Sequence, residues 1–426
     1  MNIVRHPSPS EYAMLLARPV ENLVAIERKV EPILEAVRTL GDAALLELSH
    51  KFDGHSLDTL AVSEAEMQEA SAQVSEELKK AIQTAAHNIR SFHQTQKEEP
   101  HRKETMPGVS CWRKSIGIQK VGLYIPGGTA PLFSTVLMLG IPAQIAGCQE
   151  IVLCSPANNR GKLHPAILYT AQLLGIYSVF KIGGAQAIGA MAFGTETVPQ
   201  VYKIFGPGNQ YVTAAKQLVT KFGTAIDMPA GPSEVMLVAD ENAPPSFIAA
   251  DLLSQAEHGP DSQVLLVTMY ESIIEKVQEE IQSQITLLPR AETAHKALEN
   301  SKMLLVKSED EIVDIVNAYA PEHLILALAQ PDALAQKVQN AGSVFLGYYS
   351  PESVGDYASG TNHTLPTNGY ARAYSGVSVD SFVRKITFQK LSAEGIKNLG
   401  PTVEVMAENE QLQAHKNAVT VRLNTL

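Results

Sequence analysis

The sequence predicts an α/β chain: two Rossmann-like lobes with parallel sheets, a helical region before them and a helical arm after them. Three observations predict it. From about residue 117 to 347, short β-rich apolar runs alternate with helix-like runs, the signature of βαβ units. Gly-rich turns follow several of those runs, where the backbone of an open sheet meets ligands. At 426 residues, with 45% hydrophobic and 19% charged residues, the chain is long enough for two or three soluble domains.

In chain order, residues 1 to about 100 read as helical. Apolar spacing repeats through Val20–Leu48, and an amphipathic stretch rich in good helix formers covers Ser63–Lys97. His50, His55, His87, His93 and His101 lie among polar residues and read as surface histidines. The first set of strands is Gln119–Ile125, Glu150–Cys154, Ser178–Ile182 and Val201–Phe205. Its helices are Ser134–Ala146, Pro165–Leu174, Ala185–Ala192 and Asn209–Phe222. The second set of strands is Glu234–Ala239, Gln263–Thr268, Met303–Val306, His323–Leu328 and Ser343–Gly347. Helices Ser272–Gln284, Ser308–Tyr319 and Asp332–Ala341 separate them, and the lobes join near residues 229–233. The segment from about 380 to 426 reads as helical, with too few apolar residues to build its own core.

Charge and cysteine usage narrow the function. A formal net charge of −11 argues against a general nucleic-acid binder, which needs a basic face to neutralise phosphates. No apolar run reaches the roughly 18 residues of a membrane span, and Met1-Asn-Ile-Val-Arg-His-Pro7 lacks a signal-peptide core, so the expected location is the cytoplasm. The three cysteines, Cys111, Cys148 and Cys154, match neither a zinc ribbon nor a redox pair and read as structural thiols.

The densest chemistry lies in Asp251-Leu-Leu-Ser-Gln-Ala-Glu-His-Gly-Pro260. Asp251, Gln255 and His258 share one helical face, and Gly259-Pro260 stops the helix just after the histidine. An imidazole and an amide oxygen converging at a helix end suit a metal ion or a polar substrate. The alternative is a solvated face with a terminal histidine favoured by the helix dipole. The turns Tyr124-Ile-Pro-Gly-Gly-Thr129, Gly183-Gly-Ala-Gln186 and Gly206-Pro-Gly-Asn209 fit a nucleotide pyrophosphate at helix N-termini, although none is G-x-G-x-x-G and such turns often serve tight bends alone. Ser233 stands before the strand at Glu234. Pro321-Glu-His323 puts a carboxylate beside an imidazole at a strand start, where a capping pair is the plainer reading. Ser350–His363 is a long polar loop carrying Asp356 and His363.

These motifs, taken in order with Ala414-His-Lys-Asn-Ala-Val419, resemble the histidinol dehydrogenase family from roughly residue 20 to the end. The resemblance implies an NAD-dependent zinc enzyme that oxidises L-histidinol to L-histidine through the aldehyde. It implies zinc ligands at Gln255, His258, Asp356 and His415, and further substrate contacts at Ser233, His363 and Glu410. It implies dinucleotide contacts at Tyr124, Gln186 and Asn209, with His323 as general base and Glu322 as activator of water. It also implies a homodimer with shared sites and no nucleic-acid or membrane partner. The corresponding division is an N-terminal arm (1–20), a substrate and zinc lobe (21–116 with 233–375), an NAD lobe (117–232) and an arm crossing to the partner (376–426).

Overall fold

The computed structural model describes residues 1–19, 23–54, 56–127 and 130–426. Val20, His55, Gly128 and Thr129, and the expected boundary at 20/21, lie outside the described residues.

The first sheet is parallel throughout. Its spatial order is Ser178–Lys181, Glu150–Ser155, Lys120–Tyr124, Lys203–Phe205 and Ala225–Ile226. Counted along the chain this is 3-2-1-4-5, so the sheet reverses direction between Lys120–Tyr124 and Lys203–Phe205. Both faces are covered, which is why its strands read as continuous apolar runs. One face packs on Leu23–Leu40, Gly184–Phe193 and Gln210–Val219 through residues such as Val30, Leu34, Ile188 and Val212. The other packs on Glu76–Gln94, Phe133–Ala146 and Pro165–Leu173 through Ile89, Leu137 and Ile167. The helices between Leu23 and Gln94 therefore pack on this first sheet, although the expected division grouped residues 21–116 with the second lobe.

The second sheet repeats the same order. Lys302–Leu305, Gln263–Thr268, Glu234–Ala239, His323–Ala327 and Ser343–Leu346 lie side by side, all parallel. Asn2–Arg5 adds a sixth, edge strand against Lys302–Leu305. This corrects the helical reading of the first residues: Ile3 and Val4 make a short strand because an open sheet edge is there to pair with.

Three further readings are corrected. The stretch Ser63–Lys97 is two helices, Glu64–Gln73 and Glu76–Gln94, because Ser75 caps the second through its side chain. Asp332–Ala335 is a single short turn of helix rather than a run to Ala341. Residues 383–391 are a strand, not a helix. Val383–Leu391 pairs antiparallel with Val109–Gly117, which also pairs with Arg102–Met106. That three-stranded sheet is mostly polar on both faces and leads into Ala393–Asn409 and Gln413–Leu423. These last two helices pack on each other, with Val419 and Leu423 against Gly400, and leave Val405 and Met406 about 60% exposed.

Candidate active site

At the reversal point of the first sheet, the turns after three strands open on a cavity of about 800 Å³. Tyr124, Gln186 and Asn209 all line it, with Gly127, Gly184 and Gly208. The Tyr124 hydroxyl accepts from the Gly184 amide at 3.1 Å, and burial pushes its pKa up to about 12, so it stays a neutral phenol. The Asn209 side chain accepts from the Tyr211 and Val212 amides and caps the helix that starts at Gln210. Helix N-termini at Gly184 and Gln210 thus border the cavity, the arrangement that favours phosphate. Lys29 and Arg290 add positive charge at its walls. Sequence reading missed both, since each is an ordinary basic residue outside any motif.

A second, smaller cavity of about 80 Å³ adjoins the first, with Gly208 lining both. Its wall carries Ser233, Glu322 and His363. Lys216 and Asp227 line the same cavity beside Gly206 and form a buried ion pair. The Lys216 ammonium donates to the Gly206 carbonyl at 2.9 Å, and Asp227 accepts from the Gly206 amide at 2.8 Å. Gly206 has φ +131°, and a Cβ there would meet the Tyr124 carbonyl, so only glycine fits.

His323, buried at the start of its strand, sits at the centre of the second lobe's cluster. Its Nε2 lies 3.2 Å from Asp356 Oδ1, and its Nδ1 lies 3.1 Å from Gln255 Nε2 and 3.6 Å from Glu322 Oε2. Nε2–H donates to Asp356, and Nδ1 also lies 3.3 Å from the Glu234 carbonyl, an acceptor for the proton it carries in the imidazolium form. Burial alone would lower the pKa of His323. The surrounding carboxylates, Glu322 first, outweigh it and raise the pKa well above the ordinary histidine value. His363 Nδ1–H donates to the Asp356 carbonyl (2.8 Å), which leaves Nε2 to face the Thr135 hydroxyl at 2.9 Å. Asp356 belongs to a short helix, Glu352–Tyr357, so the expected long loop is partly ordered.

Gln255 is buried near the end of the helix Pro245–Ala256. Its Nε2 donates to Glu352 Oε2 at 3.2 Å, and Glu352 also accepts from Ser254 Oγ at 2.6 Å. Burial pushes the Glu352 carboxyl up to about 8. The amide is thereby turned so that Gln255 Oε1 is a buried acceptor with no hydrogen-bond donor. An orphaned oxygen of this kind fits a cation. His258 lies beyond the helix end, two residues past Ala256, so the expected single helical face stops at Gln255; His258 is exposed and lines the large cavity.

Glu410 and His415 are not brought to this cluster. Glu410 caps the helix Ala393–Asn409, Gln411 takes φ +60°, and His415 follows in the next helix, all exposed. Among the described residues no group of three His, Cys, Asp or Glu is arranged to hold a metal ion. His93 also departs from expectation: it is buried, with Nδ1 2.8 Å from Gln96 Oε1, and burial lowers its pKa.

With the geometry in hand, comparison with known proteins is direct. The family profile described as Histidinol dehydrogenase matches residues 16–423. A relative from Bacteroides thetaiotaomicron, named histidinol dehydrogenase, is 60% identical over 426 residues and covers 100% of both chains. One of the same name from Haemophilus influenzae is 53% identical, covering 100% of this chain and 99% of its own. The crystal structure of histidinol dehydrogenase from Elizabethkingia anophelis is 55% identical, covers 100% of this chain and 98% of its own, and superposes with a TM-score of 0.97.

Proposed function

Because the chain belongs to the histidinol dehydrogenase family, we propose how the residues gathered at the two cavities divide that family's work. The activity is the NAD-dependent oxidation of histidinol in histidine biosynthesis. In our reading the large cavity takes NAD: the helix N-termini at Gly184 and Gln210 receive the pyrophosphate, and Tyr124, Gln186 and Asn209 position the dinucleotide. The smaller cavity takes the substrate, with Ser233, His363 and Glu410 as contacts. The observation that carries this reading is the junction at Gly208, where both cavities meet.

The chemistry follows from two side chains. His323 takes the hydroxyl proton while the carbinol carbon passes a hydride to NAD. The aldehyde then has no second hydride to give until water adds. Glu322 takes a proton from that water, and the hydrate loses its hydride to a second NAD with His323 again as base. One histidinol, one water and two NAD yield histidine as its carboxylate, two NADH and three protons. An imidazole crowded by carboxylates holds its proton, so His323 works as a base once Asp356 is engaged elsewhere. Asp356, Gln255 through its orphaned oxygen, and His258 would hold zinc together with His415, a nitrogen and oxygen set that zinc accepts. Zinc, one per subunit, would supply a point that binds and orients the substrate's nitrogens.

His415 and Glu410 are far from this cluster in one chain, so the reading places them in the cluster of a second copy. The enzyme is then a homodimer with shared sites, working in the cytoplasm. Among the described residues no helix is long and apolar enough to cross a membrane.

Two experiments test this. With histidinol and then histidinal as substrate, NADH formation is followed for Glu322→Gln and His323→Asn. His323→Asn should slow both oxidations by about 10²–10⁴-fold, as for loss of a general base. Glu322→Gln should slow histidinal oxidation more, and equal damage to both steps would overturn the division of labour. Separately, inactive His258→Asn and His415→Asn subunits are mixed after reversible dissociation. An arm acting in trans returns activity to about a quarter of native, by the symmetry of a two-fold dimer. Demonstrated subunit exchange without recovery would place the arm in cis.

A further inference from the structure

The carboxylate assigned to water activation is held by a second carboxylate, and that one is held by the N-terminal segment. Glu234 and Glu322 stand at the starts of adjacent parallel strands, both buried. Each accepts the other's backbone amide: Glu322 Oε2 from the Glu234 N–H at 3.0 Å, and Glu234 Oε1 from the Glu322 N–H at 3.3 Å. Arg18 then grips Glu234 with a two-pronged contact, Nε to Oε2 and Nη2 to Oε1, the second at 2.7 Å. Its Nη2 also donates to the Tyr319 carbonyl at 2.8 Å, and the guanidinium lies 3.9 Å from the centre of the Tyr319 ring. Tyr319 donates to Gln263 Oε1 at 2.9 Å, and Gln263 Nε2 donates to the Ala17 carbonyl at 3.0 Å, which closes the ring back onto the segment that carries Arg18.

We infer that Arg18 and Glu234 are positioning residues for Glu322, and that the segment before residue 20 is thereby part of the catalytic apparatus. This rests on the reading of Glu322 given above. The physical reason is charge. Glu234 is almost fully enclosed, and among the described residues the cation paired with it is Arg18. Without that cation a buried carboxylate is unpaired, a state that proteins relieve by protonation or displacement. Either change weakens Glu234 as acceptor for the Glu322 amide and frees the Glu322 side chain from its fixed direction. The plain alternative is that the pair only staples the N-terminus to the second sheet.

The test compares step profiles with histidinol in single turnover and with histidinal as added substrate. Arg18→Met should reproduce, in milder form, whichever step Glu322→Gln slows. On the reading above that is histidinal oxidation, by on the order of 10-fold and up to about 10²-fold, as for a misplaced catalytic group. Arg18→Met with Glu234→Gln removes the unpaired charge and keeps an acceptor for the Glu322 amide, so the double variant should recover part of the loss. Arg18→Lys should fall between native and Arg18→Met. If Arg18→Met lowers both steps by one common factor while Glu322→Gln is selective, the pair is only a staple and the inference fails. If Glu322→Gln is not selective, the role given to Glu322 is wrong, and the inference stands or falls on whether Arg18→Met follows the Glu322→Gln profile. A double variant no better than Arg18→Met alone also overturns it.

Discussion

The two lobes share one strand order, 3-2-1-4-5, yet face the cleft with opposite ends. The first sheet presents the carboxyl ends of its strands: Tyr124, Pro156, Gly184 and Gly208 all follow strands and line the large cavity. The second presents amino ends: Glu234 and His323 are the first residues of their strands, and Gln255 ends the helix that leads to Gln263–Thr268. In such units helix N-termini gather at the carboxyl edge and helix C-termini at the amino edge. The first edge therefore offers amide donors and positive potential, and the second offers carbonyls and negative potential. Two carboxylates deepen that second potential, Glu322 and Asp356, while Glu234 is paired with Arg18 and Glu352, raised to about 8, keeps its proton at neutral pH. One topology thus makes an anion site and a cation site, according to which edge is turned inward. The usual rule places ligands at carboxyl ends. The second lobe departs from it, and its proposed resident ligand, a metal ion, is a cation.

The sharpest way to break this comparison is to damage one edge and ask whether the other survives. His258→Asn removes a proposed cation ligand. We expect the variant to copurify with far less zinc and to turn over at background rate, while NAD affinity, carried by amides of the other lobe, stays within a few-fold. Full zinc occupancy would remove His258 from the ligand set. His258 also lines the large cavity, so loss of NAD binding to the same extent would show that this one residue serves both edges.

The first edge has its own weak point in Lys216. Its pair with Asp227 holds the Gly206 turn from both sides. Lys216→Met leaves a buried carboxylate alone, a loss of about 3–5 kcal/mol. Urea unfolding should show that loss, and the NAD KM should rise more than the histidinol KM. Lys216→Met with Asp227→Asn should regain much of the stability. An unchanged midpoint in Lys216→Met would mean that the ion pair does not support the turn.

How much of this was legible follows from burial. The central strands of both sheets are covered on two faces, so Val235–Val238 and Val264–Val267 stand out as apolar runs. The antiparallel sheet escaped because its strands are half solvent-facing; Ile386 and Phe388 do alternate with polar neighbours, but inside a stretch whose ends are helical. Asn2–Arg5 is four residues at a sheet edge, too short to carry a period. Motif positions in the site, such as Tyr124 and His323, were visible because glycines and prolines mark their turns. Arg18, Glu352 and Arg290 were not, since a lone charged residue shows its role only when folding brings a distant partner to it: Glu234 to Arg18 over 216 residues, Ser254 to Glu352 over 98 and His258 to Arg290 over 32. The bend at Gln411 lies between the two terminal helices and separates Glu410 from His415.

The smallest effect probes the electrostatic half of the comparison at Asp251. This residue lies in the middle of the helix that carries Gln255, one turn before it and half-buried, and burial raises its pKa from 3.8 to about 7. Between about pH 4 and 7 the unfolded chain has lost this proton while the folded chain keeps it. Folding therefore takes up a proton, stability falls as pH rises through that window, and it levels off above the folded pKa. Asp251→Asn removes the titration. At pH 4 it should match native stability; at pH 8 it should be more stable by about 1–2 kcal/mol, a figure reduced from the full shift because the side chain is partly solvated. Urea midpoints at the two pH values decide it. Asp251 has no place in the proposed chemistry, so zinc content and turnover should hold. If the asparagine variant loses zinc, the cation edge extends one helical turn further back than Gln255. If its stability gain is the same at both pH values, the acid does not keep its proton in the folded enzyme and burial does not raise its pKa.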